Sequence, residues 1–198
     1  MKINLIIIIG IIFLISCTAL QKDKAVEIKY HDLDLTAIDT NDYLIRKSPD
    51  DPYYELGSPF AYINQKGDTV IPINEFYGTR TDTFRAFAIV KKDSLPWIGI
   101  DRNENLLFEV FYFDNGPDYI EEGLFRVIRN GKIGYANAQG EVVIPCQFDC
   151  AYYFENGKAK VSKDCKEIKD FEHTRWESDS WYYIDKAGNR IEWKKNEL

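Results

Sequence analysis

The chain has 198 residues, with 25 Lys and Arg against 32 Asp and Glu, for a net charge of −7. That acid surplus argues against nucleic-acid binding, because it repels phosphate backbones, and disfavours a direct electrostatic grip on anionic lipid. Twelve Phe, 13 Tyr and 4 Trp against a single Met suit pleated, half-buried surfaces and point to an all-β fold.

In chain order, Lys2 supplies a positive start and Leu5–Ile15 follows as an unbroken apolar run. At about 1.5 Å of rise per residue such a helix falls well short of the roughly 30 Å needed to span a bilayer. A short apolar core behind one lysine has the shape of a secretory signal. It ends in Leu14-Ile15-Ser16-Cys17, which resembles the lipobox of bacterial lipoproteins, where the cysteine becomes the lipidated first residue. The resemblance implies a signal peptide over 1–16, lipidation at Cys17, and attachment to the membrane of the cell envelope through that lipid. Thr18 stands where an Asp would retain the protein, which favours the outer membrane. Gln21-Lys22-Asp23 looks like part of a surface-export tag, but Lys24 replaces an expected acid. Periplasmic face and cell surface both stay open.

Residues 17–57 read as the lipidated cysteine followed by an acidic tether. The alternation in Val26-Glu27-Ile28-Lys29-Tyr30 leaves room for one early strand. Residues 58–198 read as a repeat domain. Four stretches align, namely 60–67, 98–105, 133–140 and 181–188, their last residues 38, 35 and 48 apart. Position one is apolar (Phe60, Ile98, Ile133, Trp181) and position three is large (Tyr62, Ile100, Tyr135, Tyr183). Residues two apart on a strand share a face, so these eight are expected in the core. The second position is small at Ala61, Gly99 and Gly134, as expected where another backbone comes close.

The third copy is the clearest. It predicts a strand over 124–129, a hairpin at Asn130-Gly131, a return over 132–137, a turn at Ala138-Gln139-Gly140, and a strand from Glu141 stopped by Pro145. An aromatic segment then leads to Asn156-Gly157 and the next unit. Each unit is thus a meander of three or four short antiparallel strands.

Gly131-Lys132-Ile133-Gly134-Tyr135 with Gly140-Glu141-Val142-Val143-Ile144-Pro145 resembles the WG-repeat family of bacterial proteins. Gly67–Pro72 echoes its second half and Tyr183–Gly188 its middle. No copy holds Trp and Gly side by side, so the copies are about four degenerate ones over roughly 58–193. The resemblance implies repetitive β structure, with no shared catalytic residue and no cofactor.

Candidate chemistry is sparse. Asp101-Arg102-Asn103-Glu104-Asn105 has calcium-loop spacing, but Leu106 and Tyr112 occupy positions that need Gly and Glu, so it reads as a repeat turn. Cys146, Cys150 and Cys165 match no zinc knuckle; they stay free thiols or form one disulfide at most, with Cys165 pairing to either of the others. His31 and His173 have no nucleophile motif beside them. Asp114, Asp118, Glu121 and Glu122 form an acidic hairpin loop, expected to be solvated. Among Trp97, Trp176, Trp181 and Trp193, Trp176 stands out. It lies in the insertion 164–178, beside His173 and Arg175, an aromatic and cationic mix suited to recognition. The insertion (His173, Arg175, Trp176) and the acidic loop (Asp114, Asp118, Glu121, Glu122) are therefore the expected binding segments. The expected function is that of a non-enzymatic envelope lipoprotein binding a protein, a peptide or a cell-wall glycan. The alternatives are an envelope enzyme using acidic residues, or an immunity-type lipoprotein that occludes a partner.

Overall fold

A computed structural model of the chain describes residues 28–39, 41–49, 57–92, 96–113, 115–170 and 173–192. The expected signal peptide, Cys17 and the polar stretch through residue 27 lie outside these, as do Asp114 and Trp193.

The described chain is all-β and antiparallel, apart from a 3-10 turn at Leu35–Ala37. A seven-stranded sheet runs in the order Val142–Phe148, Lys132–Asn137, Leu124–Arg129, Leu106–Val110, Trp97–Asp101, Phe87–Lys91, Gly78–Thr79. One four-stranded sheet has the order Thr69–Ile71, Ala61–Ile63, Leu44–Lys47, Thr83–Phe84. The other has Cys150–Ala151, Lys158–Ser162, Tyr182–Asp185, Arg190–Ile191. Two ribbons complete it: Tyr112–Phe113 with Gly116–Pro117, and Lys166–Asp170 with His173–Glu177.

The repeat unit is defined by its turn. Asn64, Asp101, Asn137 and Asp185 each accept, on one side-chain oxygen, the N–H groups two and four residues ahead. In every copy an amide and a carboxylate then pair across the turn, as Asn64–Asp68, Asn105–Asp101, Asn137–Glu141 and Asn189–Asp185. These turns end at Gly67, Glu104, Gly140 and Gly188, all with positive φ. The second copy is therefore Trp97–Glu104, one residue earlier than the sequence alignment placed it. The Asp101 carboxylate is taken up by its own turn.

In the third copy the strands Leu124–Arg129 and Lys132–Asn137 match expectation, joined by Asn130 and Gly131 at φ 51° and 71°. Pro145, however, does not stop its strand. Val142–Phe148 runs through it, because this is the sheet's edge and the register slips there, so no ladder bond is demanded of the missing N–H. Gly134 lets that edge approach, since a Cβ there would lie 2.5 Å from Ile144 O and 2.7 Å from Cys146 N.

Three buried clusters form the core. The first joins Leu44, Phe60, Tyr62 and Phe84 to Ile98 and Ile100. The second joins Ile133, Tyr135, Phe148 and Phe154 to Val161 and Ile184. The third holds Trp97, Phe108, Phe125 and Ala136. Six of the eight expected core residues are buried, but Trp181 and Tyr183 are only half-buried. The fourth copy meets its cluster with the opposite strand face, so Ile184 is buried and Tyr182 packs beside it.

The folded body also starts before residue 58. The early strand is Leu44–Lys47, central in its sheet, with Leu44 fully buried; no ladder forms at 28–30. Residues 30–33 dock instead of dangling. Tyr30 donates to Glu109 at 2.9 Å, His31 N to Leu106 O at 2.8 Å, and Arg129 holds both Asp32 and the His31 carbonyl. Burial and the Glu109 partner push the Tyr30 phenol up to about 12.

Of the two pairings open to Cys165, the fold takes Cys150, leaving Cys146 as a half-buried thiol whose ionisation burial disfavours. The bond closes a 15-residue separation and ties the base of the Lys166–Glu177 ribbon to the body. A loop of that length corresponds to about 3 kcal/mol of stabilisation in the chain-entropy view.

Candidate binding groove

Two aromatic triplets, Phe111-Tyr112-Phe113 and Tyr152-Tyr153-Phe154, come together on one surface. Strand geometry sends successive side chains to opposite faces, so three consecutive rings cannot all reach one core. Phe154 is buried, whereas Tyr112, Phe113, Tyr152 and Tyr153 are exposed, with Tyr119 and Ile120 beside them.

A buried ion pair fixes this surface from below. Arg126 and Asp118 are both almost fully buried. The Asp118 carboxylate accepts Arg126 Nε at 2.8 Å, Nη2 at 2.6 Å and the Arg126 backbone N–H at 2.9 Å. Arg126 Nη1 donates to Ala151 O at 3.2 Å, which ties the Tyr152 end to the Asp118 end. The guanidinium plane lies 4.1 Å from the Phe111 ring centre and 5.2 Å from that of Phe113. Asp118 N–H donates to Phe111 O at 2.8 Å, closing the short ribbon around Asn115. From the opposite side Tyr135 Oη donates to Tyr152 O at 2.7 Å, and burial pushes that phenol above its ordinary range.

The insertion ribbon supplies the remaining wall. Trp176 meets Phe111 and Tyr152 edge-on, at 5.8 and 5.3 Å between ring centres. Tyr152 in turn lies 5.6 Å from Trp181, over which Lys160 Nζ stands at 4.6 Å. Phe111, Tyr152 and Trp176 bound a groove of about 590 Å³, edged by Tyr112, Tyr153, Glu167 and Arg175. A second hollow of about 430 Å³ shares Phe113 and Tyr153 with it and is bordered by Tyr119, Glu121 and Glu155.

Residues 133–166 match the WG containing repeat. No curated protein and no solved structure matched the chain. The matched segment begins within the third unit and contributes Tyr152 and Tyr153 to the groove, Tyr135 to the cluster beneath it, and both disulfide cysteines. Phe111–Phe113, Asp118, Arg126 and Trp176 come from outside the WG repeat. The groove is thus a junction between a repeat and its irregular neighbours.

The structure brings the two expected binding segments to this one surface, with roles that differ residue by residue. Trp176 is half-buried in the wall, and Arg175 is exposed but ion-paired to Glu177 at 2.7 Å. His173 lies in the ribbon opposite Asp170. Asp118 departs from the expected solvated acid loop: it is the buried partner of Arg126 beneath the floor. Glu121 is exposed on the rim. Glu122, also exposed, is held by Lys186 at 2.9 Å and by Gly157 N, which keep its carboxyl below the usual range. Asp114 lies outside the described residues. Trp97 is buried in the third cluster with Arg80 over its ring, which gives it a core role. The residues that sequence reasoning missed are the aromatic triplets and Arg126.

Proposed function

We propose that this chain is a non-enzymatic lipoprotein of the cell envelope, anchored through Cys17, whose β-repeat body presents the aromatic groove to an envelope partner. The observation that carries the reading is the set of rings held in solvent around a fully hydrogen-bonded buried ion pair. Contiguous exposed apolar surface on a folded domain marks an interaction site. Rings with few rotatable bonds lose little entropy when covered, which makes them suitable anchors for a protein, a peptide or a cell-wall glycan. The lipid and the outer-membrane address follow from the Ser16-Cys17 box and Thr18.

Two measurements test this. Wild-type protein should partition into detergent and carry acyl mass, and Cys17→Ala should do neither; a wild-type protein without acyl mass would remove the anchor. Capture from envelope extracts by the full chain should drop at least tenfold in Tyr112→Ser/Tyr153→Ser, since each anchor ring contributes more than about 1 kcal/mol. The melting temperature should stay unchanged, because both side chains are exposed. Equal capture by the variant would move the binding surface elsewhere.

A further inference from the structure

We propose that the groove takes an extended, basic peptide segment of a partner protein, an inference that rests on the groove being the binding surface. The argument is charge complementarity. Glu121, Glu155 and Glu167 are exposed on the rim, and none of them makes an ion pair among the described residues. The cations that line the two hollows are committed elsewhere, Arg126 to Asp118 and Arg175 to Glu177. What remains facing a ligand is therefore aromatic and negative.

A guanidinium or ammonium entering this surface finds ring faces and carboxylates together. Cation–π attraction and charge-assisted hydrogen bonds then act on one group. A neutral sugar would use the ring faces but leave three carboxylates without a counter-charge. The shape adds that the segment is extended. Two hollows share Phe113 and Tyr153, so successive side chains can occupy both. Aromatic-lined grooves of this kind accept stretched, low-entropy segments whose backbone needs no internal hydrogen bonds.

The test uses the full chain in nonionic polyoxyethylene detergent and three labelled probes. These are a short peptide repeating arginine, proline and glycine, the same peptide with glutamine for arginine, and chitohexaose. The arginine peptide should bind best, and its affinity should fall steeply with salt, as exposed charge pairs require. Glu121→Gln/Glu155→Gln/Glu167→Gln should weaken the arginine peptide about tenfold, a few-fold per exposed pair. The same triple variant should leave the glutamine peptide unchanged. Tyr153→Ala should weaken every probe that binds. Equal binding of the two peptides, preference for chitohexaose, or no binding by the arginine peptide would each overturn the basic-peptide inference while leaving the groove as the site. If probes bind and Tyr153→Ala changes none of them, the groove reading itself fails. Circular dichroism of each variant separates lost binding from lost folding.

Discussion

Asp118→Ala is expected to cost about 3–5 kcal/mol of stability, the range for removing one partner of a buried ion pair. Arg126 would keep its charge in a nearly water-free position with only Ala151 O left to accept from it. The loss is larger than any surface acid could cause, and it contrasts with Glu121→Ala on the same loop, which should change stability by no more than about 0.5 kcal/mol. Replacing both partners, as Asp118→Leu/Arg126→Met, should recover most of the stability, since apolar groups of similar volume need no counter-charge. That double variant should nonetheless bind poorly, because the plane on which Phe111 and Phe113 rest would be gone. Denaturant titrations of the three variants read out the comparison. A single-variant cost below about 1 kcal/mol would mean that water reaches Arg126 and that the groove floor is open.

Tyr135→Ala should cost about 3–5 kcal/mol, as for truncation of a large buried aromatic. Its ring lies 4.9 Å from Phe154 and 6.5 Å from Phe148, in the centre of the second cluster. Tyr135→Phe separates ring from hydroxyl. It keeps the packing and deletes only the bond to Tyr152 O, for about 1 kcal/mol. A near-zero effect of the alanine variant, measured by urea unfolding, would place that strand face in solvent and undo the register on which the groove depends.

What the sequence made legible was local. Asn130-Gly131 sets its own hairpin because both residues tolerate positive φ, and alternation on either side then determines the strands Leu124–Arg129 and Lys132–Asn137. Aligning Gly99 with Gly134 shifts the second copy by one residue. Gly134 makes way for a neighbouring backbone, whereas Gly99 makes way for the Phe108 ring, so the shared letter hides two different needs. The better landmark was the side-chain pair four residues apart, an amide facing a carboxylate in every copy. Pro145 misled because its effect depends on whether a strand is at an edge, which no local pattern encodes. Trp181 and Tyr183 misled because the side of the strand on which a cluster lies is a tertiary fact.

The groove was half legible. Aromatic triplets at 111–113 and 152–154 exceed what one strand face can bury, so some rings had to be outside. Arg126 was the hidden part. A charge within an apolar strand reads as a residue pointing to water, and its partner lies across a turn, positioned by the ribbon around Asn115. The acid loop and the insertion lie some fifty residues apart in the chain, and nothing in the sequence pattern joins them. The disulfide between Cys150 and Cys165 and the ring contacts of Trp176 bring them to one surface.

The way the clusters share strands also bears on how such a chain can evolve. In a solenoid each unit touches only its neighbours, so copies can be gained or lost one at a time. Here Trp97 serves the third cluster while Ile98 and Ile100 serve the first, and Ala136 serves the third while Ile133 and Tyr135 serve the second. Deleting or duplicating one unit would therefore break two clusters at once, and the copy number is locked. Each unit is thereby confined to its own place, and the four turns repeat within a body that is itself indivisible.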